Sequence, residues 1–196
     1  NALDLIRGFE GYRDKPYWDV NAYRVGYGSD TTTLPDGSVV RVQPGMTVDR
    51  AGAERDLSRR VQTEFVLLAM RAVGDRAWGA LGEGQRAALT SIAYNYGRLP
   101  DSVVQAVQSG DMGAAAQAIA ALGSDNKGVN ANRRNAEARV FAGGQFDGPQ
   151  NQQQNALGGD RMAMAQNLLA AFRPQQQLLD AQAFAQPVNQ FRNYLG

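Results

Sequence analysis

Hydrophobic positions recur along this chain at two different periods. In "ALDLIRGFEG" the apolar residues Leu3, Ile6 and Phe9 stand three apart, the spacing of one helix face, and the run stops at Gly11, a residue suited to ending a helix. Glu10 is thereby placed in the last turn of a short helix. Over "YRVGYGSDTTTLPDGSVVRV" alternating and β-branched residues flank "LPDG", a strong turn signal, and the pattern predicts a β-hairpin. Gly26 and Gly28 mark strand positions where a second backbone or a ligand comes close. From Thr47 onward the helical spacing returns. Thr47 is the expected cap, Asp49 favours the first turn, and Leu57, Val61, Phe65 and Leu68 make one apolar stripe. "GQRAALTSIAYNYG" repeats the pattern with Ala88, Leu89, Ile92, Ala93 and Tyr96. Asp101 is the expected cap of "SVVQAVQ", and "DMGAAAQAIAALG" and "ANRRNAEARVFAGG" give two more helices. The sum is an α+β, mainly α domain in which two helical halves enclose one small hairpin.

After Gly144 the patterning changes. Residues 145–196 carry 12 glutamines, with "PQNQQQN" as a low-complexity core, and this is the composition of a linker. "DRMAMAQNLLAAF" and "QQQLLDAQAFAQ" then form two amphipathic segments that read as docking helices rather than a second domain. The expected organisation is one domain over 1–144, followed by a Gln-rich linker and C-terminal helices over 145–196. The chain opens at Asn1 with neither an initiator Met nor a signal-peptide pattern, so a fragment, a processed product or a domain of something longer is expected.

Composition narrows the chemistry. There is no cysteine and no histidine, which removes thiol nucleophiles, Ser-His-Asp triads and thiolate or imidazole metal centres. Acid-base work falls to carboxylates, tyrosines or lysines, and no metal or cofactor is expected. Lysines and arginines number 20 against 19 acids, a balance that creates no field for nucleic acid. No apolar run reaches the roughly 18 residues that a membrane span needs. "GYGSDTTT" lacks the glycine spacing of a phosphate-binding loop.

Attention therefore turns to "FEGYRDKPYWDVNAYRVGYG", where eight residues separate Glu10 from Asp19 among four tyrosines and a tryptophan. The negative end of a helix dipole and nearby aromatics disfavour an ionised carboxylate, which suits a general acid that must carry its proton. Asp19, on the loop entering the hairpin, would face Glu10 across a cleft. Two carboxyls flanking a scissile bond are the core of glycoside hydrolysis. Aromatics and glycines add flat walls and close approach for sugar rings. Two acids at this spacing also arise by chance as solvated surface, and the spacing alone does not choose.

Four blocks in register add a resemblance. "EGYRDKPYWD" with the strand "VGYG", "MTVDRAGAERDLSRRV", "GQRAALTSIAYNYG" and "NRRNAEARVFAGG" together resemble the phage-type lysozymes, glycoside hydrolase family 24, over about residues 3–144. The resemblance implies a lysozyme-like fold, with a small β-hairpin lobe and a helical lobe joined by a long helix. It implies Glu10 as general acid and Asp19 as second carboxylate, with Arg133, together with Arg134, steadying the acid. Tyr94, Asn95 and Ser102 fall where the family contacts glycan, and Tyr23 joins them as a candidate. Each has a bland alternative: Tyr94 as core, Ser102 as a first helical turn, the arginine pair as solvated face.

Arg24 is the departure that matters. It stands where the family has a threonine that helps hold the attacking water, and the segment from Asp19 is one residue shorter. Thr31, Thr32 and Thr33 lie just downstream, and Ser29 replaces the family's usual histidine. The implied activity is an N-acetylmuramidase cleaving the β-1,4 bond between N-acetylmuramic acid and N-acetylglucosamine. A lytic transglycosylase on the same bond, and a catalytically silent glycan-binding virion module, stay open beside it; keeping both Glu10 and Asp19 favours an enzyme. The implied partner is bacterial peptidoglycan, met in the periplasm or cell wall by a protein carried on a phage particle or released on lysis. The tail is expected to dock to a larger virion or envelope assembly.

Overall fold

A computed structural model describes residues 1–148. The two amphipathic segments expected after the glutamine-rich stretch lie outside the described residues. The chain opens with α1 (Ala2–Glu10), whose N-terminus is closed by a reciprocal cap in which Asn1 accepts from the Asp4 amide. It ends where expected, at Gly11 with φ 66°, so Glu10 is its last residue. Leu5 and Ile6 are its buried face.

Two hairpins follow where the alternation predicted one. β1 (Arg13–Asp19) pairs antiparallel with β2 (Ala22–Gly26), and β3 (Thr31–Thr33) pairs antiparallel with β4 (Val39–Arg41). "LPDG" makes the turn of the second, with the Leu34 amide donating to the Ser38 carbonyl at 2.8 Å. β1 escaped the pattern because it is a largely exposed edge strand, and edges tolerate charges and a proline such as Pro16. Asp19 therefore closes a strand; it does not lie in an entering loop. Gly26 confirms a close approach: at φ 63°, a Cβ there would meet the Ala53 Cβ at 2.9 Å.

The long helix runs as α2 (Arg50–Arg60), a π-helical turn (Val61–Phe65) and α3 (Val66–Val73). Its cap is Asp49, which accepts from the Gly52 amide at 2.7 Å, and not Thr47. Asp49 has the extended backbone that a cap requires, and its short carboxylate reaches the first turn. The stripe of Leu57, Val61 and Phe65 is buried as predicted, with Leu68 packed at the edge of the core. A short α4 (Asp75–Ala80) was not anticipated. Then come α5 (Glu83–Tyr96), α6 (Asp101–Gln108), α7 (Met112–Ala121), a 3-10 segment (Leu122–Gly128) and α8 (Ala131–Phe141). α6 starts on Pro100, whose φ of −61° suits a helix start while its extended ψ of 141° makes it the cap, so Asp101 becomes the first helical residue instead of the cap. Among the described residues no helix is long and apolar enough to cross a membrane.

Two cores result. The larger gathers Phe65, Leu89, Ile92, Val103, Val107, Ile119 and Phe141 around α5. The smaller joins α1, β2 and α2 through Ile6, Val25, Tyr27, Val48 and Leu57. β3 is pinned to α2 by the buried Asp56, which accepts from Ser29 Oγ at 2.6 Å and Thr33 Oγ1 at 2.8 Å, with Arg59 at 3.0 Å. α1 is tied to α2 by Arg7, whose Nε donates to Glu54 at 2.8 Å.

Phe146 packs on Phe9 with ring centroids 5.7 Å apart, so side-chain packing continues past Gly144. A chain ending at Gly148 is expected to unfold in one cooperative thermal transition. Ending it at Gly144, which removes the Phe146 ring, should lower Tm by about 3 °C. Circular-dichroism melts of the two chains check this; a broad transition in the chain ending at Gly148 shows that later residues complete the core.

Candidate active site

Three helices meet behind Glu10. Glu10 is the last residue of α1, with 23% of its side chain exposed. Arg133, on α8 and 4% exposed, donates from Nη1 to Glu10 Oε1 at 2.6 Å. The other two guanidinium nitrogens are also committed. Nε donates to Glu137 Oε1 at 3.1 Å, and Nη2 reaches the Ser91 carbonyl on α5 at 3.2 Å and its hydroxyl at 3.3 Å. Ser91 Oγ donates to the same Glu137 oxygen at 2.6 Å. Arg134 lies on the far side of Glu137, its Nη1 2.8 Å from Oε2 as an ion pair without hydrogen-bond alignment. Its Nη2 donates to Asn95 Oδ1 at 2.9 Å. The arginine pair is therefore buried, not solvated face. Burial pushes the Glu137 carboxyl up and the Arg134 guanidinium down, each against the pull of the opposite charge.

The second carboxylate comes from the first hairpin. Asp19, 46% exposed, accepts from Arg24 Nε at 2.7 Å, and Arg24 Nη1 also reaches the Gly28 carbonyl at 3.3 Å. Tyr17 pairs across the strands with Arg24, and by alternation Tyr17, Asp19 and Arg24 share one face of the hairpin. A point one Cβ length from the Gly28 Cα lies 3.8 Å from Glu10 Oε2 and 4.0 Å from the Tyr17 hydroxyl. Gly28, at φ 85°, thus brings backbone without a side chain beside Glu10 and Tyr17. Thr31 and Thr33 hydroxyls turn to Asp56 instead, so neither takes the threonine's place near Asp19.

The remaining candidates divide. Asn95 is exposed at the end of α5 and is joined to the cluster through Arg134. Tyr94 donates its hydroxyl to the Tyr27 carbonyl at 2.6 Å and stacks near Phe65 at 4.7 Å; burial, with the Glu10 charge adding to it, pushes its phenol up. Tyr23 lies on the hairpin face opposite Arg24, edge-on to Trp18 at 5.2 Å, and is not brought to Glu10. Ser102 is exposed on the first turn of α6, with no hydrogen bond to the cluster. Sequence reasoning passed over Glu137, Ser91 and Tyr17. Glu137 had a signal, four residues after Arg133 and three after Arg134 on one helix. Ser91 had none. Among the described residues no group of three or more acidic side chains gathers as a metal site.

A family model described as phage lysozyme matches residues 7–137, which span both Glu10 and Arg133. The chain belongs to the phage lysozyme family. It is a lysozyme-type glycoside hydrolase acting on peptidoglycan. Two solved structures share the fold of this lysozyme. A point mutant of P22 lysozyme is 23% identical with a TM-score of 0.57, over 72% of this chain and 94% of that one. The active form of P1 phage endolysin Lyz is 20% identical with a TM-score of 0.53, over 74% of this chain and 85% of that one. No curated protein shows significant sequence similarity to the lysozyme.

The hydrogen bond from Tyr94 to Tyr27 joins the helical lobe to the smaller core. Tyr94→Phe leaves that carbonyl unpaired, and is expected to cost about 1–2 kcal/mol in urea melts. The substrate concentration giving half-maximal clearing should hold within about twofold, a change too small for a lost glycan hydrogen bond. A raised half-saturation with unchanged stability would instead make Tyr94 a glycan contact.

Proposed function

We propose that this lysozyme is an N-acetylmuramidase that cleaves the β-1,4 bond between N-acetylmuramic acid and N-acetylglucosamine, with Glu10 as general acid and Asp19 as second carboxylate. The observation that carries the reading is the division of labour between the two Glu10 oxygens. Oε1 accepts the Arg133 bond, and Oε2 has no hydrogen bond among the described residues and lies beside Gly28, 3.8 Å from where a Cβ would stand. A proton on Oε2 is then aimed at the glycosidic oxygen of a sugar lying in the cleft. Its transfer breaks the bond to C1, and the positive charge developing on the sugar ring is stabilised by Asp19. Water adds to C1 on the opposite face and gives its proton to Asp19 Oδ1, the oxygen that Arg24 does not hold. Asn95, exposed and fixed by Arg134, is the best supported glycan contact.

One observation favours a second reading. Arg24, which by the family resemblance stands in place of the water-holding threonine, grips Asp19 at 2.7 Å. With no water held there, the C6 hydroxyl of muramic acid attacks C1, closing the anhydro ring of a lytic transglycosylase product while its proton leaves to solvent or base. Hydrolysis is preferred because that route has little use for Asp19. The lysozyme acts at the cell wall, and the glutamine-rich composition after residue 144 supports a tether to a larger phage assembly.

Glu10→Gln is expected to lower peptidoglycan clearing by at least about 10³-fold with an unchanged melting curve. Clearing within a few-fold of wild type removes Glu10 from the acid's role. Mass spectrometry of the released muropeptides separates the two chemistries: reducing-end muramic acid is expected, and anhydromuramic products alone overturn the hydrolase. Asp19→Asn should cost a hydrolase about 10²-fold or more and leave a transglycosylase largely active.

A further inference from the structure

Glu137 is fully buried, faces no open space, and takes no part in the steps above. Yet it touches both arginines behind the acid. A guanidinium is planar, so fixing two of its nitrogens fixes the direction of the third. Glu137 and Ser91 hold Nε and Nη2 of Arg133 from inside the protein, and Nη1 is left pointing at Glu10 Oε1. The same carboxylate is the counter-charge for Arg134, which holds Asn95.

Stability alone does not account for this arrangement. Buried ion clusters usually gain little over apolar packing of the same volume. This one also leaves Arg134 Nε and Nη1 and Glu137 Oε2 without aligned hydrogen bonds. What the cluster does achieve is direction. Remove the charge of Glu137 and Arg133 keeps one carboxylate partner, Glu10, while Arg134 loses its paired counter-charge. With Nε released, the Arg133 fork is free to turn about its remaining contact at Nη2, and Nη1 loses its aim at Glu10 Oε1.

We infer that Glu137 is a positioning residue for the acid: it holds the Arg133 fork so that Glu10 keeps Oε2 turned to the glycan. This rests on Glu10 being the general acid. The test pairs two measurements on Glu137→Gln, which keeps the side-chain volume. Clearing of purified peptidoglycan gives the rate at saturation and the half-saturating concentration. A crystal structure of the variant gives the separation of Arg133 Nη1 from Glu10 Oε1. The saturated rate should fall by about ten- to a hundredfold, with half-saturation within about twofold. The Arg133–Glu10 hydrogen bond should be lost. A retained bond overturns the inference, whatever the rate, and so does a full rate with the bond broken. If Glu137→Gln does not fold, Ser91→Ala takes its place, removing one donor to Glu137 and one anchor of Nη2 without changing charge. It should give a few-fold loss at saturation with a lengthened Arg133–Glu10 contact; a full rate, or an unmoved contact, overturns the inference. Activity retained in Glu10→Gln sinks the acid assignment itself, and the Arg133 separation is read independently of it.

Discussion

A guanidinium at 4% exposure is the constraint on which the rest of the site depends. Arg133 cannot lose its charge, so every direction in which it points must offer an acceptor. Those acceptors come from three helices: Glu10 from α1, Ser91 from α5 and Glu137 from α8 itself. The helices must therefore meet at one place and in one register. Satisfying the arginine and placing the acid are the same structural event. The acid consequently ends a helix that is pinned at both ends, by the Asn1 cap at one and Arg133 at the other.

The hairpin side is held by different means. Asp56 collects hydroxyls from Ser29, Thr31 and Thr33, where a charged partner from the strand would otherwise be needed. Gly26 lets β2 lie against Ala53 of α2 at a distance that no side chain permits. Tyr94 then bridges the lobes by reaching the Tyr27 carbonyl, one residue before Gly28. The position of Gly28 beside Glu10 thus owes something to contacts from both lobes. Arg24 closes on Asp19 and on the Gly28 carbonyl at once, so it ties the first hairpin to the turn that follows it.

The chain's own pattern determined the local features. Glu10 at a helix end, the glycines near the acid, the buried stripe of Leu57, Val61 and Phe65, and the helices of the larger lobe all follow from periodicity and capping, which act over a few residues. Composition alone excludes cysteine and histidine chemistry. Tertiary structure decided the rest. β1 is a strand only because β2 pairs with it, since an exposed edge needs no alternation. Asp49 and Pro100 cap their helices because of backbone conformation, which residue preference alone does not single out. Above all, the chain could not show that Arg133 meets Glu10 across 123 positions, that Glu137 stands behind it, or that Tyr23 turns away from Arg24. Buried charges are satisfied by whatever the fold brings near, and distance along the chain carries no record of that.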